Sequence, residues 1–237
     1  MPDVLSLIDD VTRSAARLRT ALAALTDADV RAPSAQPDWT RGDVIAHLAF
    51  SADAYVRLLT VARTGAEPVP GPGAGQLDHP GLPGAGELAS DLHARLGRLT
   101  RDAAAMPAAA WDVLVTARAG WRHPAWFTLY RCWRELETHH VDLDVGYLPA
   151  DWPVGYVSWA LEDTAAALRA RRFPVTRLDA VDLGRFWTMS TAGPVVAGSG
   201  HALLGWLSGR APGAALTSDR RLPEPPAWPL PPAPGWG

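Results

Sequence analysis

Residues 131–153, RCWRELETHHVDLDVGYLPADWP, contain the end of a helix, its stop and the boundary between two folding units. Leu129, Leu136 and Leu143 recur every seven residues and mark the buried stripe of the helix. Arg131, Arg134, Glu137 and Thr138 fall on the wheel as its outer face. Glu135 and His139 are four residues apart, so they project from one side and can share a metal ion. Glu137 and His140, three apart, are the competing pair. The wheel favours Glu135 with His139, because they lie beside Cys132 on the flank of the stripe while Glu137 turns toward solvent. The run GYLPADWP at 146–153 then breaks the pattern with one glycine and two prolines.

Upstream, three more helices are expected. Residues 3–25 place Val4, Leu7, Ile8, Val11, Ala15, Leu18, Leu22 and Leu25 at helical spacing. After a polar connector over 26–39, Thr40-Arg41-Gly42-Asp43 reads as a near-capping box that opens a helix running to about Arg63. Its His47 shares a face with Val44, Ser51, Ala54 and Leu58 and should point inward. Two histidines and one carboxylate leave coordination positions open, as a catalytic divalent metal requires. Residues 65–86 are too rich in glycine and proline for a regular element. Helical periodicity resumes over 87–106. Residues 111–118 alternate weakly as a short strand, and Pro124 suits the first turn of the helix that continues to Asp144.

The fold class is therefore α+β: a four-helix bundle over 1–150, followed by a small α+β domain over 151–237. The second unit reads as a helix at 154–171, strands at 176–182 and 185–191 joined at Gly184, and a strand near Val195. A helix at 201–207, a strand near Leu216 and an extended proline-rich tail over 223–237 complete it.

Composition narrows the chemistry. The chain has 237 residues, a net charge of −3, and 22 cationic side chains, all of them arginine. Without lysine there is no Walker-type phosphate loop, internal Schiff base or lysine general base. The single cysteine, Cys132, excludes a disulfide framework, a CxxC pair and a cysteine-rich zinc knuckle. The charge balance gives no general reason to bind nucleic acid or an anionic membrane. No stretch approaches the apolar length of a bilayer span, and residues 1–10 lack a basic leader region, so a soluble, cytoplasmic protein is expected; two self-contained domains give no strong reason to expect more than a monomer. Arginine in place of lysine, abundant alanine and no asparagine fit the codon bias of a GC-rich genome.

The stretch DWTRGDVIAHLAFSADAYVRLL at 38–59 resembles the second helix of the mycothiol-dependent maleylpyruvate isomerase family, in which the histidine of an HL pair binds a metal. RCWRELETHHVDLDVGYLPADWP resembles the family's second signature, which supplies a glutamate and a histidine. GRFWTM at 184–189 and VVAGSGHALLGWLSGR at 195–210 resemble its sterol-carrier-like C-terminal domain. Carried over position by position, the resemblance implies His47, Glu135 and His139 as ligands in a bundle of the DinB type. It implies a divalent metal, generally zinc, and mycothiol, the small thiol of actinobacteria, as cosubstrate. In such a site the metal lowers the thiol pKa. The resemblance implies that this thiolate would add to the double bond of maleylpyruvate, and that rotation and expulsion of the thiol would leave fumarylpyruvate.

One departure bears on the substrate. Isomerase-like members usually carry an arginine in the loop after the second helix, suited to a carboxylate. Here no arginine lies between Arg63 and Arg95, and that loop offers Gln76, Asp78 and His79. Either Arg122 or Arg131 takes the role, or the enzyme transfers the thiol to another electrophile, such as a natural-product intermediate. A third class is a non-catalytic relative that binds a metal or small ligand. Asp142 or Asp144 could support a ligand histidine, and Trp39 and Trp126 could line the cleft. His93, His123 and His201 have no evident partner, and Cys132 is expected to be buried and inert.

Overall fold

The computed structural model describes residues 2–68 and 83–229, which divide into two compact units between Val145 and Gly146. Most of the glycine- and proline-rich loop, with Gln76, Asp78 and His79, lies outside the described residues, as does the end of the tail.

The first unit is built on helices α1 (Val4–Leu22), α2 (Asp27–Arg31), α3 (Arg41–Thr64), α4 (Ala85–Ala104) and α5 (Phe127–Asp142). The four long helices pack as a bundle, with α3 against α4 and α5, and α1 against the same two. Leu18, Leu48, Leu59, Leu92, Leu99, Leu129 and Leu136 fill its core. The short α2 sits in the connector that the apolar pattern leaves blank; Thr26 and Asp29 cap it reciprocally. Thr40 and Asp43 do the same for α3. The Asp43 backbone N–H donates to Thr40 Oγ1 at 3.1 Å, and the Thr40 N–H donates to Asp43 Oδ2 at 2.8 Å. Gly65, with φ of 72°, ends that helix in a left-handed turn that a Cβ would disfavour.

Three expectations need correction. Strands β1 (Leu114–Thr116) and β2 (Arg122–Pro124) form an antiparallel hairpin, so Pro124 closes a strand rather than opening α5. The fixed φ of proline suits an extended residue as well as a first helical turn, and pairing with Leu114 decides between them. Second, the outer face expected for α5 is covered. Arg134, Glu137 and Thr138 are buried, and only Arg131 of that set is partly exposed. Helix α1 packs there and supplies polar partners. The Ser14 hydroxyl donates to Glu137 Oε1, Arg17 Nη2 donates to the same oxygen at 2.6 Å, and Trp133 Nε1 donates to Ser14 Oγ at 3.0 Å. Polar groups tolerate burial when hydrogen-bonded, and apolar periodicity carries no record of that. Third, α3 is long and apolar enough to cross a membrane. Half of that span is buried inside the bundle, as befits a core helix.

The second unit opens with α6 (Val154–Ala170) and continues through β3 (Arg177–Ala180), β4 (Arg185–Thr188) and β5 (Val195–Gly198). Helix α7 (Gly200–Leu207), capped by Ser199, and β6 (Thr217–Ser218) follow. The sheet order is β4-β3-β5-β6, with β3 and β5 parallel and the other pairs antiparallel. Gly184, with φ of 60°, makes the β3–β4 turn. Leu161, Leu168, Leu178, Val196 and Leu203 form its core. The chain is an α+β protein in which a helical bundle precedes a small mixed unit.

Candidate metal centre

Helices α3 and α5 face each other with matching stripes. His47, Ser51 and Tyr55 recur every four residues on α3, and Arg131, Glu135 and His139 do so on α5. The start of α3 is tied to the end of α5: Arg41 Nε donates to Leu143 O at 2.6 Å, and Ala35 N–H donates to Asp142 O at 2.8 Å. That register brings His47, Glu135 and His139 together. His47 Nε2 lies 3.0 Å from Glu135 Oε2, and His139 Nε2 lies 3.3 Å from the same oxygen. One donor atom from each residue falls within 4.8 Å of the others.

The cluster is reachable from solvent, with the His47 side chain 31% exposed. Trp39 borders it from the connector, its ring 5.2 Å from that of His47 and stacked at 6.4 Å on that of His139. Behind His139, the buried Asp142 places Oδ2 2.9 Å from Nδ1. The Nδ1–H donates to this carboxylate, which turns Nε2 toward Glu135 and His47. Ser51 Oγ lies 3.5 Å from His47 Nε2.

Charge is concentrated here. Burial opposes ionisation of Glu135, but hydrogen bonds from His139 and His47 hold its carboxyl well below the usual range. Burial would also depress His139, yet its bonds to Asp142 and Glu135 raise it to about 9. Cys132 is a contrast: burial, with the nearby Glu135 charge, pushes its thiol far up, so it stays protonated and inert.

This donor set fits a divalent ion. Nitrogen and oxygen ligands bind zinc at about 2.1 Å, which spaces tetrahedral donors about 3.4 Å apart. The two short separations, 3.0 and 3.3 Å, are close to that spacing. Two imidazoles and one carboxylate satisfy three positions and leave one free for a ligand.

The other residues are placed elsewhere. Glu137 is engaged by Ser14 and Arg17. Asp144 is exposed, with a loose 3.8 Å contact to Arg41. Trp126 packs on Phe127 and Tyr130. His93 is exposed on α4, and His201 Nε2 lies 2.9 Å from Trp152 O in the second unit. His123 is fully buried in the hairpin beside Arg131. Tyr55 is not among the site residues that the sequence suggests, although its position eight residues after His47 puts it on the same face of α3.

The fold and cluster define a class: a helical bundle with a two-histidine, one-glutamate centre, joined to a small α+β unit. Residues 11–144, more than half of the chain, match the family described as the mycothiol maleylpyruvate isomerase N-terminal domain, and the chain belongs to that family. Among solved structures, the crystal structure of the mycothiol-dependent maleylpyruvate isomerase superposes with a TM-score of 0.81. The two share 21% identity, and the match covers 96% of this chain and 98% of that one. A histidine-to-alanine mutant of the isomerase matches to the same degree. No curated protein sequence matches the chain.

Proposed function

We propose that the protein is a mycothiol-dependent metalloenzyme of the maleylpyruvate isomerase type, acting on an electrophilic small molecule. The observation that carries this reading is the convergence of His47, Glu135 and His139 within 4.8 Å on a solvent-reachable face. Family membership and the fold shared with the isomerase support the choice of thiol and reaction.

A divalent metal held by these three residues, zinc by the chemistry of the donor set, would lower the pKa of a bound thiol and so supply a thiolate at neutral pH. The chain's own groups prepare for this. Asp142 fixes the His139 tautomer so that Nε2 faces inward, and the Trp39 indole stacks on the His139 ring and packs at a tilt against that of His47. Cys132 stays protonated, so the attacking sulfur comes from mycothiol. Bound mycothiol would supply the nucleophilic sulfur for reversible addition to the double bond of maleylpyruvate, the chemistry that would permit cis–trans isomerisation to fumarylpyruvate.

A second reading, thiol transfer to another electrophile, is favoured by one feature: no arginine lies between Arg63 and Arg95 in the segment after α3. One experiment separates the two. Zinc-loaded protein is incubated with mycothiol and maleylpyruvate, and the products are resolved by chromatography. Fumarylpyruvate formed only with mycothiol, and lost in His47→Ala, supports the isomerase. A stable sulfur conjugate supports transfer, and no reaction in the presence of bound zinc contradicts the isomerase.

A further inference from the structure

Arg131 and Tyr55 lie one helical turn or more beyond the cluster on the same facing stripes. Arg131 precedes Glu135 by four residues, about 6 Å along the helix axis. Its guanidinium carbon sits 5.1 Å from the Tyr55 ring centre and 4.9 Å from that of Trp121. Its Nη1 donates to His123 Nε2 at 3.3 Å. That imidazole is an acceptor there, because its Nδ1–H, 2.8 Å from Pro124 O, is donated to the carbonyl. Burial also keeps His123 uncharged, lowering it to about 4. Arg131 is thus a cation among aromatic rings with a neutral partner. Among the described residues no carboxylate pairs with it, and Glu135, the acid one turn away, is engaged by His47 and His139. Tyr55 is 3% exposed, and among the described residues its hydroxyl has no hydrogen-bond partner.

A part-buried guanidinium without a counterion, packed against the ring of a tyrosine whose hydroxyl is unpaired, is a receptor for an oxyanion. We propose that Arg131 and Tyr55 form the subsite that grips a carboxylate of the electrophile, about one helical turn from its reacting carbon. This deepens the proposed function and rests on it: the substrate class is a short unsaturated carboxylate. Trp121 and His123, carried by the β1–β2 hairpin, hold the guanidinium in place. The hairpin therefore positions an anion anchor that α5 and α3 supply. Arg122, the neighbouring cation, is exposed on β2 and does not share this setting.

The test is equilibrium binding of maleate to zinc-loaded protein without mycothiol, read by tryptophan fluorescence and calorimetry, with dimethyl maleate as the uncharged control. Maleate should bind the parent protein, and Arg131→Gln should weaken it on the order of 10- to 100-fold at unchanged zinc content. Arg131→Lys should retain part of the affinity, having charge but no planar fork. Tyr55→Phe, which keeps the ring on which Arg131 packs, should weaken maleate several-fold, and dimethyl maleate should respond to none of these changes. Equal maleate affinity in Arg131→Gln and the parent, or no binding by the parent, overturns the subsite. Arg131-dependent maleate binding without turnover of maleylpyruvate leaves the subsite standing and overturns the isomerase reading instead.

Discussion

Asp142 Oδ2 lies 2.9 Å from His139 Nδ1, three residues earlier on α5, and this contact determines which ring nitrogen His139 presents to Glu135 and His47. A carboxylate behind a ligand imidazole fixes its tautomer and raises its basicity. Asp142→Asn keeps the shape and removes the charge. It is expected to weaken zinc binding about 10- to 100-fold while leaving the helical content intact. Competition with a fluorescent chelator measures the affinity, and an unchanged value would show that Asp142 only closes the helix.

Glu137 and Glu135 are two residues apart and do different work. Glu137 is 1% exposed and joins α5 to α1 through Ser14 and Arg17. Glu137→Ala removes bonds to a cation and leaves Ser14 in a buried site, at a cost of about 2–3 kcal/mol. Urea unfolding should show this loss, while bound zinc stays stoichiometric. Glu135→Ala should do the reverse, losing the metal. A zinc loss in Glu137→Ala of equal size would reassign the ligands.

These two glutamates also show what the sequence carries and what it leaves out. Helix spacing places Glu135 with His139, because both sit on one chain segment. Nothing local shows that Ser14 and Arg17, more than a hundred residues away, will cover Glu137. A wheel built on leucines therefore reads the polar face of α5 as solvent-facing. The Thr40–Asp43 box was legible because capping is local chemistry, and the stop at Gly65 is local as well. The meeting of α3 and α5 at His47 depends on tertiary register, set in part by Arg41 on Leu143 O, which no spacing records. The β1–β2 hairpin was half-seen for a similar reason: three-residue strands are too short for alternation to show, and Pro124 is compatible with either element.

His123 makes stability depend on pH. It is fully buried in the native chain, and burial lowers it from about 6.5 to about 4. Below pH 6.5 the unfolded chain takes up a proton there and the native chain does not. Stability is therefore lost as pH falls from 6.5 toward 4, by up to about 3 kcal/mol from this group. Below pH 4 both states are protonated and the loss stops. Urea unfolding at pH 7 and pH 5, on the parent and on His123→Gln, isolates the contribution: the parent should lose more stability than the variant across that interval. Equal losses would remove His123 as the source.

His47, Glu135 and His139 are expected to hold one divalent ion together. Elemental analysis tests it most directly, on protein loaded with zinc and then desalted, for the parent chain and for His47→Ala, Glu135→Ala and His139→Ala. One equivalent of zinc is expected in the parent and little in each folded variant. A parent that retains no zinc, or variants that all retain a full equivalent, would contradict it.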